Sequence, residues 1–216
     1  MRAMRLPIAV AIVLSSIACA RLPDYAQPQV KAMAPGTYAV ADAIRYRPLT
    51  RADFRAGAPP AGMAAHAERM GAYTCAAVVP TAAVQIRIEP AGGGFVAHAE
   101  NLSVHAEMDR GCSWWNESPK TTQTPAYILQ HEQIHFAIVE LAARDMRARG
   151  QALRARGATV EAARAAFQHE LDELLRTTLR SLQARSLAFD EDTSMAFRTD
   201  VQQKWYDRVV AELAAS

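Results

Sequence analysis

The chain has 216 residues, half of them apolar, and 24 Lys plus Arg against 22 Asp plus Glu, for a formal net charge of +2. A near-neutral chain with no basic run and no interleaving of aromatic with basic residues does not suggest nucleic-acid binding. Its length allows one domain with a real core.

Residues 1–20 read as an export signal: Arg2 and Arg5 precede an apolar run from Leu6 to Leu14, followed by small residues. The run is far short of the ~20 residues that span a membrane. Two cleavages compete. Ser16-Ile17-Ala18-Cys19 resembles a lipobox, with serine where leucine is usual, and would place a lipid on Cys19; Ala18-Cys19-Ala20 fits an ordinary A-x-A site. The lipoprotein is the preferred expectation. The product is then exported, either periplasmic or anchored to the outer membrane through Cys19, and otherwise secreted. Cys75 and Cys112 remain, and an even pair in an oxidising compartment predicts one disulfide.

Residues 21–35, with Pro23, Pro28 and Pro35, read as a linker, and 36–216 as a single domain. A first strand is expected within Thr37–Tyr46. Thr50 and Asp53 have capping-box spacing and predict a short helical turn before a Gly/Pro loop. Further strands are expected at Ala72–Val79, Val84–Glu89 and Phe95–Met108, with a hairpin turn over Ala91–Gly94. His98 and His105 then lie on one long strand at odd spacing, pointing to opposite faces, and share no metal site. Trp114 and Trp115 are expected to fill the core.

A helix from Pro125 to about Arg149, ended by Gly150, carries His131-Glu132-Gln133-Ile134-His135. Helical spacing puts the two imidazoles one turn apart on one side, within reach of one ion, which is the HExxH zinc signature. Ile134, Ile138 and Ala142 share that face; Gln133, Glu140, Arg144 and Arg147 lie opposite. Glu132 falls at the flank of the buried side, where an unpaired carboxylate would cost several kcal/mol unless something positive faced it. Zinc would supply that charge and acidify a water, leaving Glu132 as general base. The competing reading is a core helix with two hydrogen-bonded histidines and a glutamate paired to an arginine.

A second helix, Thr159 to about Ser186, carries Val160, Ala163, Phe167, Leu171, Leu174, Thr178 and Leu182 at helical spacing, and the short connection makes the pair antiparallel. Phe197, Val201, Trp205, Val209 and Leu213 mark a third helix. Catalytic zinc usually takes three protein ligands. Glu140 is excluded because it falls on the far side of its helix from His131. A hairpin turning near 150–157 brings residues around 170–178 level with the histidines, so Glu170, Asp172 and Glu173 are candidates, though none sits centrally on the buried face. The other source is the acidic segment Phe189-Asp190-Glu191-Asp192-Thr193, read as a loop that folds back over the site.

Several blocks resemble a bacterial family of predicted secreted zinc-dependent proteases, catalogued as domain of unknown function nine hundred and twenty-two. RPLTRADFRAGAP resembles its L-T-x-x-D-F segment, CSWW its S-W, and HEQIHFAIVELAAR its most specific block, H-E-Q-x-H-F-D-I-x-E-x-x-A-R. FDEDTSMAFRTDVQQKW resembles Y-D-x-x-T-x-H-G followed by Q-x-x-W. Two positions depart from the pattern: Ala137 stands where the family has aspartate, and Met195 where it has the T-x-H-G histidine. A thioether is a poor zinc ligand. Asp190, which matches the Y-D aspartate, and Asp192 are both sources of the missing ligand; Asp190 ranks first as third ligand and Glu170 second.

The expected fold class is α+β, zincin-like through the motif and the resemblance: an N-terminal mostly antiparallel sheet, then a helical half with the HExxH helix in an antiparallel helix hairpin. The expected activity is zinc-assisted hydrolysis of peptide bonds in the cell envelope, with His131, His135 and Asp190 holding Zn2+ and Glu132 activating water. Its partner is a peptide or protein substrate, with membrane contact only through a lipid at Cys19. The alternative is a non-catalytic envelope lipoprotein that keeps the fold and binds peptide or an envelope partner.

Overall fold

A computed structural model describes residues 42–80, 83–193 and 197–216. The export signal, Cys19, the linker and Met195 lie outside the described residues. Strands come first and helices second, as the order of patterns predicts. In place of one sheet there are three small ones among the described residues, and every strand pair within them is antiparallel. The first joins β1 (Ala43–Arg45), β6 (Val104–Asp109) and β3 (Ala76–Pro80), with β6 in the middle. The second pairs β2 (Ala72–Tyr73) with β7 (Trp114–Trp115). The third joins β4 (Gln85–Ala91), β5 (Gly94–Asn101) and β8 (Ala155–Gly157). Gly92 and Gly93, with φ of 55° and 85°, make the tight β4–β5 turn that residues with a Cβ rarely adopt.

The long strand expected over Phe95–Met108 is two strands in different sheets. The chain changes sheets at Asn101–Ser103, where Leu102 turns its side chain into the core and its carbonyl accepts from Gln151 Nε2 at 3.2 Å. His98 and His105 therefore lie in separate sheets. Ala72–Val79 likewise splits into β2 and β3. Thr50 and Asp53 do form a capping box, around the 3-10 turn Arg51–Asp53. Trp114 and Trp115 are buried, Trp115 edge-on to Phe54 at 5.5 Å.

Helix α1 (Pro125–Ala152) begins at the N-cap Thr124, whose hydroxyl accepts from Tyr127 N at 3.2 Å, with Pro125 in the first turn where its missing N–H costs nothing. It runs past Gly150, because that position is an approach point and not a stop: a Cβ there would collide with Leu102. The side opposite the histidines is packed too. Gln133 accepts from Leu49 N at 2.5 Å, and Glu140 accepts from Ala106 N of β6 at 3.2 Å and from Arg144 Nε at 2.8 Å.

Helix α2 (Val160–Thr193) is antiparallel to α1 and continues two turns beyond Ser186. The acidic segment read as a loop is its last part. Phe189 and Thr193 extend the buried stripe of Thr178, Leu182 and Ser186, so burying them favours helix over the cost of the acidic side chains. Helix α3 (Thr199–Ala215) starts after Phe197, which stays 45% exposed and meets the Tyr127 ring at 4.9 Å. Two cores divide the molecule. One sits between the first half of α1, the end of α2, α3 and the β1-β6-β3 sheet; the other lies between the far end of the helix pair and the β4-β5-β8 sheet.

Candidate metal centre

Within α1, the i and i+4 positions of His131 and His135 bring their Nε2 atoms to 3.1 Å of each other. Asp190, from the end of α2, meets both: its Oδ1 is 3.1 Å from His131 Nε2 and 2.9 Å from His135 Nε2. These three are the group among the described residues whose donor atoms converge tightly enough, within 4.8 Å, to hold a metal ion.

The surroundings fix the ring positions. Phe189 stacks on His131 with centroids 4.5 Å apart, touches His135 at 5.0 Å, and is backed by Trp205 of α3 at 5.4 Å. Trp205 in turn donates its Nε1–H to Asp192 Oδ2 at 2.8 Å, which occupies that carboxylate outside the cluster. Thr193 Oγ1 lies 3.3 Å from His131 Nδ1 and donates to the Phe189 carbonyl at 2.7 Å. Gln202, fully buried, ties α3 to α1 by donating to Tyr127 O and Gln130 Oε1, each at 2.9 Å.

Glu132 is buried beside the triad, and Thr74, in the connection between β2 and β3, donates to its Oε2 at 2.6 Å. That connection is pinned from behind by the Cys75–Cys112 disulfide, with Cα atoms 5.7 Å apart, and by Cys75 N donating to Ser113 Oγ at 2.9 Å. Burial alone would raise the Asp190 carboxyl, but the two imidazoles outweigh it and hold the group well below the usual carboxylate range. Burial would lower His135, and the Asp190 carboxylate outweighs that, with Glu132 adding to it, so its pKa is raised.

Glu170 is not near this cluster. It is exposed and lies by Arg149 and Leu153 at the other end of the hairpin, roughly five helical turns from His131. The level expected for residues 170–178 assumed a tight hairpin turning near 150–157, with the first helix ended by Gly150. Because α1 runs on and β8 intervenes before α2, the residue level with the histidines is Asp190. Glu140 faces β6, away from the triad, as its helical angle requires.

Residues 104–198 match the model of a family described as "Bacterial protein of unknown function (DUF922)". Over this stretch the chain is similar to that family. The matched stretch runs from β6 to just beyond α2 and so contains His131, Glu132, His135 and Asp190, whereas Thr74 lies ahead of it. None of the curated proteins and none of the solved structures matches the chain at a significant level.

These residues fit a metal by their own chemistry. Two imidazoles and a carboxylate supply a donor set that zinc accepts, and tetrahedral ligands at about 2.0–2.1 Å stand roughly 3.3 Å from each other. The separations of 2.9–3.1 Å are just inside that figure. Because the Thr193 hydroxyl proton is committed to Phe189 O, the Thr193 oxygen accepts from His131 Nδ1–H, which leaves the Nε2 lone pair facing the cluster. Phe189 and Thr193 stand at the first and last positions of the block that resembles Y-D-x-x-T, and the Thr178–Leu182–Ser186 spacing continues to them, but nothing in the sequence pointed to Thr74 as a partner of the site.

Proposed function

We propose that this chain is a zinc-dependent peptidase of the bacterial cell envelope. The observation that carries the reading is the convergence of His131, His135 and Asp190 beside a buried Glu132 that no lysine or arginine pairs with among the described residues. Bound zinc would supply Lewis acidity, acidifying a water and polarising the substrate carbonyl. His131, His135 and Asp190 would hold it. Thr74 occupies Glu132 Oε2 and leaves Oε1 to accept the proton of the attacking water. As the water oxygen bonds to the carbonyl carbon and the C–N bond breaks, Glu132 passes that proton to the departing nitrogen. The disulfide agrees with an oxidising, exported location. No helix among the described residues is long and apolar enough to cross a membrane. Attachment through a lipid on Cys19, with a peptide or protein as substrate, completes the proposal.

Elemental analysis of dialysed protein tests it directly. The wild type is expected to retain about one zinc per chain, His131→Ala and Asp190→Ala to lose it, and Glu132→Gln to keep zinc while peptide hydrolysis falls at least ~100-fold. A folded wild type that retains no metal, or a Glu132→Gln variant as active as wild type, would rule the reading out.

A further inference from the structure

The buried carboxylate of Glu132 has one hydrogen-bond donor among the described residues, the Thr74 hydroxyl, 2.6 Å from Oε2. The terminal torsion of a glutamate is broad, so without that donor the carboxylate is free to turn away from the triad. Thr74 and Cys75 are the whole connection between β2 and β3, strands of different sheets, and Thr74 pairs with no strand among the described residues. Few contacts hold this corner. On the β2 side the pairing with β7 is two residues long, and Asn116 adds its N to Gly71 O at 2.9 Å and its Nδ2 to Met70 O at 3.0 Å. On the β3 side Cys75 N donates to Ser113 Oγ at 2.9 Å, and the Cys75 carbonyl accepts from Asp109 N at 2.8 Å. The Cys75–Cys112 disulfide is the covalent fastener, and it starts at the residue next to Thr74. Both cysteines are half-buried and belong to neither core.

Resting on the peptidase reading, we propose that Thr74 is a positioning residue that aims Glu132, and that the Cys75–Cys112 disulfide keeps Thr74 in place, so that closing this bond switches peptide hydrolysis on. Opening it takes a dithiol. One thiolate of the reductant attacks a cysteine sulfur and its second thiol completes the exchange; two electrons and two protons pass to Cys75 and Cys112, which become thiols, and the reductant leaves as a disulfide. Closing it reverses the exchange, with a disulfide-bearing oxidant. His131, His135 and Asp190 stand on α1 and α2, which the disulfide does not join, so the metal is held in both states. The chain is then silent where thiols are kept reduced and active once exported.

The test compares zinc-loaded full-length wild type, Thr74→Val, Thr74→Ser, a Cys75→Ser, Cys112→Ser variant, that variant with Thr74→Val added, and Glu132→Gln, on a peptide that the wild type cleaves from a fluorogenic library. Zinc content and circular dichroism are measured on each. Thr74→Val is expected to keep its zinc and its KM and to lose kcat by about 10- to 100-fold, part of what a positioned general base contributes. Thr74→Ser, which keeps the hydroxyl, is expected to recover most of the loss. The cysteine variant is expected to lose kcat by a similar factor with zinc retained, and adding Thr74→Val to it should cost nothing more, because both changes release the same carboxylate. If the cysteine variant does not fold, reduction of folded wild type with a phosphine replaces it: kcat should fall by that factor and return on reoxidation. Wild-type kcat in Thr74→Val or in the folded disulfide-free protein, or losses that multiply when the changes are combined, would overturn the proposal, and an inactive Glu132→Gln beside them leaves the peptidase reading standing. A zinc-loaded wild type that cleaves nothing in the library would overturn both.

Discussion

Because the Thr193 hydroxyl already donates to the Phe189 carbonyl, the face it turns to His131 Nδ1 is an acceptor, and the imidazole has one way to place its ring proton. Replacing Thr193 by Val keeps the shape and removes that acceptor. Outer hydrogen bonds of this kind typically change metal affinity by roughly 10- to 100-fold, and Thr193→Val is expected to weaken zinc binding by that factor in a competition titration against a chromophoric chelator. Unfolding in urea should move by only about 1 kcal/mol. Unchanged affinity would mean that the ring is held by its stacking on Phe189 alone. Other residues that carry the family resemblance turn out to be joints. Asp53 of the L-T-x-x-D-F block is buried, accepting from Arg47 at 2.5 and 3.0 Å and from Thr50 N at 2.8 Å, and Gln202 and Trp205 of Q-x-x-W fasten α3 against the triad's backing.

At the level of elements, the position of Asp190 depends on how α1 hands over to α2. Strand β8 makes that connection, pairing Ala155–Gly157 with Phe95–Ala97 of β5, and it tucks directly beneath the first turn of α2. Gly157 is the contact point: a Cβ there would run into the backbone of Ala162 and Ala163, with no flexible side chain to give way. Gly157→Ala should therefore push α2 off β8 and destabilise the fold by about 1–3 kcal/mol, read as a lower urea midpoint. The triad lies in the other core, at the far end of the hairpin, so the folded fraction of this variant should keep its metal. A variant as stable as wild type would show that the handover is looser than the close approach implies.

For the molecule as a whole, the disulfide joins cysteines 37 positions apart, closing a loop that contains β3 to β6 and ends beside Thr74. Removing it from a chain with two small cores frees that segment in the unfolded state. The loop-entropy relation gives about 3–4 kcal/mol for a loop of this size. A Cys75→Ser, Cys112→Ser double variant is expected to unfold at lower urea by that amount, compared with oxidised wild type in the same buffer. A loss under ~1 kcal/mol would mean that the hydrogen bonds of Ser113 and Asn116 already hold the corner without it.

The amino-acid sequence by itself determined the local features of this protein. The order of strands before helices, the β4–β5 hairpin, the Thr50–Asp53 capping box, the pairing of the two cysteines and the two histidines one turn apart all follow from spacings of a few residues or from simple counting. An i, i+4 pair faces one way in any straight helix, since rise and rotation per residue are fixed by the backbone. Tertiary structure alone decided which carboxylate completes the triad. The family resemblance pointed to Asp190, but the helix geometry available in sequence placed residues near 170 beside the histidines. That level depends on where α1 stops, on β8 intervening and on how far α2 extends. Each of these is set by burial against another part of the chain: Gly150 against Leu102, Gly157 against α2, and Phe189 against Trp205. Contacts between residues so distant in sequence leave no periodic trace in it, because they are chosen by the packing of finished elements and not by the backbone of any one of them.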